Sequence, residues 1–102
     1  LDIENIPSMP GALDLFDKGY FSTLAPTNRR YWNLLDDNKR KSPLFELKLG
    51  SISKSSRYYQ QIMELIVDPQ TCGPLVLACS PQVGRELVEK GPWRQIGSVD
   101  LI

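Results

Sequence analysis

The chain of 102 residues is long enough for one compact domain and too short for two. Its 41% apolar and 24% charged residues are typical of globular domains, and its 12 basic residues balance 12 acidic ones. This balance argues against nucleic acid or an anionic membrane as a partner. The longest apolar run, 75–79, is far shorter than the roughly 20 residues of a membrane-spanning helix.

The residue types exclude several kinds of active site. Histidine is absent, which removes the commonest general base and zinc ligand, and two cysteines are too few for a four-thiolate metal site. Cys72 and Cys79 flank a predicted strand and would lie roughly 23 Å apart, too far for a disulfide. We therefore expect a reducing, cytoplasmic compartment. Because residue 1 is Leu rather than Met, we expect a processed or trimmed piece of a longer chain. No basic region followed by an apolar one is found, so secretion is not indicated.

The amino-terminal part of the chain predicts two helices after an extended entry over 3–9. Ser8 is typical of a helix start and Gly19 of a helix end, so the apolar stripe between them predicts a helix over 10–18. A second start signal is followed by aromatic and leucine residues at helical spacing, which predict a short amphipathic helix over 29–35.

The middle of the chain contains the strongest helix pattern. The polar run 36–43 predicts a loop, and rough alternation over 44–49 predicts a strand with one face in solvent. A helix buried on one side is then predicted, ending by Val67 because Pro69 disfavours the helical conformation of the residue before it. Its apolar positions at i, i+3, i+4 and i+7 are Tyr59, Ile62, Met63 and Ile66.

The pattern of this helix also predicts where its two adjacent tyrosines and Glu64 lie. In the Tyr58-Tyr59 pair we expect one ring in the core and the other at its rim. Glu64 is expected on the face of the helix that contacts water.

The last third predicts two strands around a helix. The run 75–79 has no polar alternation, which indicates a strand covered on both faces. Ser80 and Gly91 bound the helix, whose inward residues are predicted to be Val83, Leu87 and Val88. A final strand is predicted over 96–102, with Gly97 permitting a bulge or a close backbone approach. The predicted fold class is therefore α+β or α/β, a single domain with a mixed β-sheet flanked by helices.

Three stretches of the chain resemble a known family. Ile6-Pro7 leads through Pro10-Gly11-Ala12-Leu13 to Gly19, Asn28-Arg29 precedes Tyr31, and 68–75 reads Asp-Pro-Gln-Thr-Cys-Gly-Pro-Leu. In this order they resemble the carboxy-terminal region of selenophosphate synthetase (selenide, water dikinase), of the aminoimidazole-ribotide-synthetase-like superfamily. The resemblance touches nearly the whole chain but little of 36–58, and its most specific part is the Asp-Pro-Gln-Thr run.

The resemblance implies a truncated carboxy-terminal domain with a partial ferredoxin-like topology. The intact family enzyme is a transferase that makes selenophosphate from selenide and ATP, with magnesium, and typically acts as a homodimer. The family's catalytic and magnesium-binding residues lie outside the matching stretches, so no catalytic or metal residue is carried over. We expect a non-catalytic scaffold whose partners are an amino-terminal ATP-binding half and, in a homo-oligomer, further copies of itself.

Thr71, Cys72 and Gly73 are the candidate cofactor-binding residues. They lie where the family run reads Thr-Ser-Gly, so that the family's Ser-Gly-Gly is Cys72-Gly73-Pro74 here. Small residues before a buried strand let backbone N–H groups approach a phosphate. Pro74 departs from the family pattern and removes one donor. A turn that only connects a helix to a strand is the competing interpretation. For Cys72 an inert thiol is favoured over a reactive one, because no cation lies within four residues.

Two other charged groups have a functional and a structural interpretation. The aspartates at 36–37 suit a hard cation, but the basic residues at 39–41 favour a solvated loop. Arg29 and Arg30 lie beside Tyr31 and Trp32, a combination that can stack RNA bases. Since the net charge is zero, packed rings with flanking surface arginines are favoured.

Two other functions remain open at this point. One is a diverged, non-catalytic interaction or regulatory module. The other is a part of a sister ATP-dependent enzyme such as thiamine-monophosphate kinase, which fits the Asp-Pro-Gln-Thr run less well. A truncated sheet would expose an unpaired edge, so we also expect self-association, including by strand exchange.

Overall fold

The computed structural model of the protein describes residues 1–32, 46–69 and 75–100. Within these ranges the regular structure is helical. Its α-helices are α1 (Ala12–Asp17), α2 (Ala25–Asn28), α3 (Arg57–Val67) and α4 (Pro81–Lys90). Two 3-10 turns, Ile3–Asn5 and Arg29–Tyr31, complete the described elements.

The predicted fold class, a mixed β-sheet flanked by helices with partial ferredoxin-like topology, is wrong. The residues that the structure describes form no sheet. The β-type pairing among them is a single isolated parallel bridge between Asp2 and Lys48. The N–H of Lys48 donates to the carbonyl of Leu1 at 2.8 Å, and that of Ile3 donates to the carbonyl of Lys48 at 3.1 Å. The pairing ends there because the 3-10 turn begins at Ile3. Of the strand predicted over 44–49, the first two residues lie outside the described ranges.

The strand predicted over 75–79 is not formed. Leu75 and Val76 are 82% and 81% exposed, and Leu77 is 54% exposed. No backbone group of 75–79 is hydrogen-bonded to another described residue. A continuous apolar run becomes a buried strand only where other segments pair with its backbone and cover both faces. No described segment does so here.

The predicted final strand is also absent over its described part, 96–100, while 101–102 lie outside the description. One contact remains, because the N–H of Asp2 donates to the carbonyl of Ile96 at 2.9 Å. The close backbone approach predicted for Gly97 is confirmed. A Cβ at Gly97 would lie 3.2 Å from the Cα of Leu1.

The helix predicted over 10–18 is confirmed as α1, and its end has a defined cause. Gly19 has φ +84°, a conformation that glycine adopts without a steric penalty. The N–H groups of Gly19 and Tyr20 donate to the carbonyls of Phe16 and Leu15 at 3.0 and 2.9 Å. This Schellman arrangement satisfies carbonyls that have no partner inside the helix.

The strongest predicted helix is confirmed as α3. The hydroxyl of Ser56 accepts a hydrogen bond from the N–H of Tyr59 at 3.1 Å and caps the helix start. The helix ends at Val67, as Pro69 predicted. The two adjacent tyrosines divide as expected, because Tyr59 is buried and Tyr58 is 37% exposed.

The hydrophobic core lies on the apolar face of α3. Its buried residues are Ile3, Tyr59, Ile62 and Met63, of which Ile3 and Ile62 are completely inaccessible. Half-buried side chains surround them, including Leu13 from α1 and Leu47 and Leu49 from the segment after residue 45. Helix α1 packs on α3, and Asp17 of α1 forms an ion pair with Arg57 at the start of α3. The core therefore joins the amino-terminal residues, α1, the segment after residue 45 and α3.

Helix α4 is confirmed, but of its predicted inward residues only Leu87 is half-buried, and the other two are exposed. The Ser80 hydroxyl accepts from the N–H of Val83 at 3.4 Å, and the helix ends before Gly91. Val83 and Val88 are nevertheless exposed, because α4 contributes no side chain to the core around Ile62. Of the helices in the described ranges, none has the length and apolar character needed to cross a membrane.

Truncation of the central core side chain is expected to destabilise the fold strongly. In Ile62→Ala, lost burial and the remaining cavity should lower the free energy of unfolding by about 2–5 kcal/mol, as measured by urea denaturation. The matched control is Val88→Ala on α4, where the side chain is already exposed. A loss at Val88 as large as that at Ile62 would contradict this placement of the core.

Glu4 is expected to titrate below the ordinary range of a glutamate. Its pKa is lowered because the hydroxyl of Ser51 donates to Oε1 at 2.6 Å and the Ser51 N–H donates to the same oxygen at 2.8 Å. The resulting stabilisation is present above the ordinary pKa and is lost as the pH falls through the folded-state pKa. NMR titration of Ser51→Ala should raise the Glu4 midpoint, whereas Ser98→Ala should leave it unchanged.

Candidate functional site

The predicted cofactor-binding residues Thr71, Cys72 and Gly73 lie outside the residues that the structure describes. The same holds for Pro74 and for the aspartates at 36–37. What the structure places is the chain on either side of the candidate loop. One flank is the carboxyl end of α3 with Asp68 and Pro69, and the other is 75–79.

The first flank is fixed by Asp68. Asp68 caps α3, and its N–H donates to the carbonyl of Glu64 at 2.9 Å. Its carboxylate accepts a hydrogen bond at 2.9 Å from the backbone N–H of Ser22. The chain that enters the candidate loop is therefore tied to the segment between α1 and α2.

Side chains from the α2 region bind the last turns of α3. The amide of Asn28 donates to the carbonyl of Val67 at 3.0 Å, which satisfies a carbonyl that a helix end leaves without an internal partner. The indole N–H of Trp32 donates to the carbonyl of Met63, also at 3.0 Å. Asn28 belongs to the second resembling stretch and Asp68 to the third, so the fold brings these two stretches together.

Arg29 is the charged centre of this junction. Its guanidinium donates through Nε to Glu64 Oε1 at 2.9 Å and through a terminal nitrogen to Oε2 at 3.2 Å. It also lies over the Phe21 ring, 4.5 Å from the centroid, and near the Trp32 ring at 5.8 Å. Paired bonds and ring stacking are the geometry for which a planar guanidinium is suited.

This arrangement corrects the predicted position of Glu64. Its side chain is only 17% exposed and is paired with Arg29, so it does not lie on a face that contacts water. The interpretation as packed rings with flanking surface arginines agrees with the structure for the half-buried Trp32 and the exposed Arg30. It does not hold for Arg29, which is half-buried and ion-paired, or for the Tyr31 ring, which is 45% exposed. Arg30 is exposed and lies over the Tyr31 ring, 4.8 Å from the centroid.

One feature of the sequence points to the ion pair between Arg29 and Glu64. Glu64 lies at the border of the apolar stripe of α3, next to Met63, where a carboxylate is partly removed from water. A carboxylate in that position requires a cation. Which cation supplies the charge depends on how α2 packs against α3, and this is not encoded locally.

The second flank differs in character from the first. Leu75, Val76 and Leu77 present their side chains to solvent, and the exposed Cys79 has a free thiol. In the sequence, the candidate loop thus lies between a helix end held by hydrogen bonds and an exposed apolar segment. Only the first of these flanks is packed by described residues.

The acidic residues beside the candidate loop are bonded to described residues of the α2 region. In residues 1–32, 46–69 and 75–100, no group of three or more histidine, cysteine, aspartate or glutamate side chains is placed to hold a metal ion. Asp68 and Glu64, the acidic residues nearest the candidate loop in the chain, accept hydrogen bonds from Ser22 and Arg29.

Comparison with known proteins gives no assignment, since no protein-family model, curated protein or solved structure matches this chain.

The Arg29–Glu64 pair is expected to contribute measurably to stability. A double-mutant cycle with Arg29→Gln and Glu64→Gln should give a coupling free energy of about 1–2 kcal/mol, because both groups are partly shielded from water and doubly bonded. The control cycle uses Glu86 and Lys90 of α4, an exposed pair at 3.9 Å. There the coupling should be about 0.3–0.5 kcal/mol. Equal couplings at the two sites would contradict the structural role assigned to Arg29.

Proposed function

We propose that the chain is a non-catalytic structural module that packs against a neighbouring ATP-binding part, as the carboxy-terminal scaffold of a selenophosphate synthetase-like protein. The exposure of Leu75, Val76 and Leu77 carries this proposal. Such contiguous apolar surface is typical of an interaction site. It follows directly after the Asp-Pro-Gln-Thr run, the most specific part of the family resemblance.

The energetic scale of this surface supports a packing role. Burial of an aliphatic side chain against a neighbour contributes about 1.5–3 kcal/mol. Leu75 and Val76 keep most of their surface in water, so a neighbour that covers them gains a large part of this amount from each. The fold itself gains little from them.

In this proposal the chemistry belongs to the neighbour. The intact parent would phosphorylate selenide with ATP and magnesium, and both would be held by the amino-terminal half. Thr71, Cys72 and Gly73 are proposed to contact the bound nucleotide through backbone N–H groups. The bonds from Ser22 to Asp68 and from Asn28 to Val67 would position that loop from the α3 side.

We place the module in the cytoplasm. The exposed Cys79 thiol is free, and reducing compartments maintain exposed thiols in this state.

The second candidate function is an interaction or regulatory module whose partner is unrelated to selenophosphate synthetase. The absence of a sheet from the described residues favours it, because the family resemblance implies one. The two candidates agree that the exposed apolar run is the contact surface, and they differ in the partner.

A binding experiment separates the candidates. The chain is titrated by calorimetry into the amino-terminal ATP-binding part of a selenophosphate synthetase, prepared as a separate polypeptide. The proposal expects a complex that Leu75→Glu weakens at least tenfold. Met9→Glu is the matched control, because Met9 is 79% exposed and Leu75 82% exposed. Its affinity should equal that of the unmodified chain.

The same preparation tests the assignment of chemistry. The chain alone should bind no Mg·ATP and hydrolyse none above the buffer rate. Tight Mg·ATP binding by the chain alone would contradict a non-catalytic role. A folded chain that forms no complex with the ATP-binding part would contradict the proposed scaffold role and favour the second candidate function.

A further inference from the structure

The helical segment that starts with α2 and continues through Arg29–Tyr31 has two different faces. Its inner face consists of Ala25, Asn28, Arg29 and Trp32. Ala25 is completely buried, and the other three side chains donate hydrogen bonds to α3. The exposed residues at the complementary helical spacing form what we call the α2 outer face, which consists of Leu24, Thr27, Arg30 and Tyr31.

The arginine of the α2 outer face is held in place by its neighbour. The Arg30 guanidinium lies 4.8 Å from the centroid of the Tyr31 ring and donates a hydrogen bond to the Tyr31 hydroxyl at 2.8 Å. A guanidinium that is already oriented loses less conformational freedom when it binds a ligand. This side chain is therefore prepared for a directed contact, although it is exposed to solvent.

The charge of Arg30 is not compensated within the described residues. None of their ion pairs includes Arg30, whereas Arg29 is neutralised by Glu64 on the inner face. The surrounding sequence offers no acid, because residues 18–35 contain one lysine and two arginines but no aspartate or glutamate. Charge complementarity therefore specifies an anionic group as the partner of this face.

Apolar surface lies next to this charge. Leu24 is 59% exposed and Tyr31 is 45% exposed. Tyrosine and arginine are among the residue types that contribute most to the affinity of protein interfaces, where a ring supplies contact area and a guanidinium supplies paired hydrogen bonds. A ligand that matches the face carries a carboxylate with an apolar group beside it.

We propose that the α2 outer face binds an acidic polypeptide segment. One of its carboxylates accepts paired hydrogen bonds from Arg30, and an adjacent apolar side chain packs on Leu24 and the Tyr31 ring. This contact is independent of the proposed function, which uses the exposed residues of 75–77.

A single-stranded nucleic acid fits this face less well. Proteins that bind such strands follow several successive phosphates with a positively charged groove, in addition to stacking bases on aromatic rings. The α2 outer face has Arg30 as its single cation, and the chain as a whole has no net charge. One oriented guanidinium beside apolar side chains matches one carboxylate better than a run of phosphates.

An NMR titration of the full chain, labelled with nitrogen-15, tests the contact. The probe is a blocked peptide of three Leu-Glu repeats, and its neutral counterpart has three Leu-Gln repeats. Because four side chains cover much less than the roughly 800 Å² per partner of a standard interface, we expect a dissociation constant of about 0.1–1 mM. Saturable shifts are expected at the N–H groups of Leu24, Arg30 and Tyr31. The neutral peptide should bind about tenfold more weakly, since it lacks the charge-assisted hydrogen bonds.

A pair of arginine variants tests the assigned residue. Arg30→Gln should weaken binding of the Leu-Glu peptide about tenfold. Arg94→Gln is the matched control, because it removes the same charge from another exposed arginine and should leave the affinity unchanged. Circular dichroism checks that both variants retain the helices of the unmodified chain.

Three results would overturn the proposal. The first is the absence of saturable shifts at millimolar Leu-Glu peptide. The second is an equal affinity for the two peptides, or an equal loss in the two variants, since either would show that Arg30 does not recognise a carboxylate. The third is tighter binding of an eight-nucleotide oligouridylate to the same residues, which would assign the face to nucleic acid. The proposed function is tested separately by Leu75→Glu.

Discussion

The packing of Ile62 on α3 against Ile3 is the contact on which the other described contacts depend. Both side chains are completely buried, and they lie 59 positions apart in a chain whose described elements are short helices. Helices of this length are marginal by themselves in water, so they persist through the apolar face that they bury. The core on α3 holds α1, the amino-terminal residues and the segment after residue 45 in one unit.

That core also fixes the carboxyl end of α3, from which the candidate loop departs. Hydrogen bonds from Ser22, Asn28 and Trp32 and the ion pair from Arg29 all lie within the last two turns of the helix or at its cap. Each joins a polar group near the end of α3 to the segment that contains α2. The helix end is therefore held by polar contacts on a base of apolar packing, an arrangement suited to presenting a loop at a constant angle.

Beyond the candidate loop the character of the chain changes. Leu75, Val76 and Leu77 have the composition of a core strand and the exposure of a surface, and α4 adds no side chain to the core. Apolar side chains that remain exposed are unfavourable in water, and such a surface is typical of an interaction site. The chain thus combines a unit that satisfies itself with a segment that gains from a partner, and this asymmetry underlies the proposed structural role.

Local sequence by itself determined α4 and the carboxyl ends of α1 and α3. Gly19 and Pro69 act on neighbours within four residues, so these two helix ends followed from them, and Ser80 and Gly91 set α4 in the same way. The helix predicted over 29–35 instead begins as a 3-10 turn, Arg29–Tyr31, directly after α2. The cofactor-binding role of Thr71, Cys72 and Gly73 stays a prediction, since these residues lie outside those that the structure describes. Only the tertiary structure decided that the apolar run 75–79 has no strand partner within residues 1–32, 46–69 and 75–100, and that Glu64 pairs with Arg29. The reason is that strand pairing and ion pairing join residues distant in the chain, and the pattern of one segment does not specify which other segment meets it.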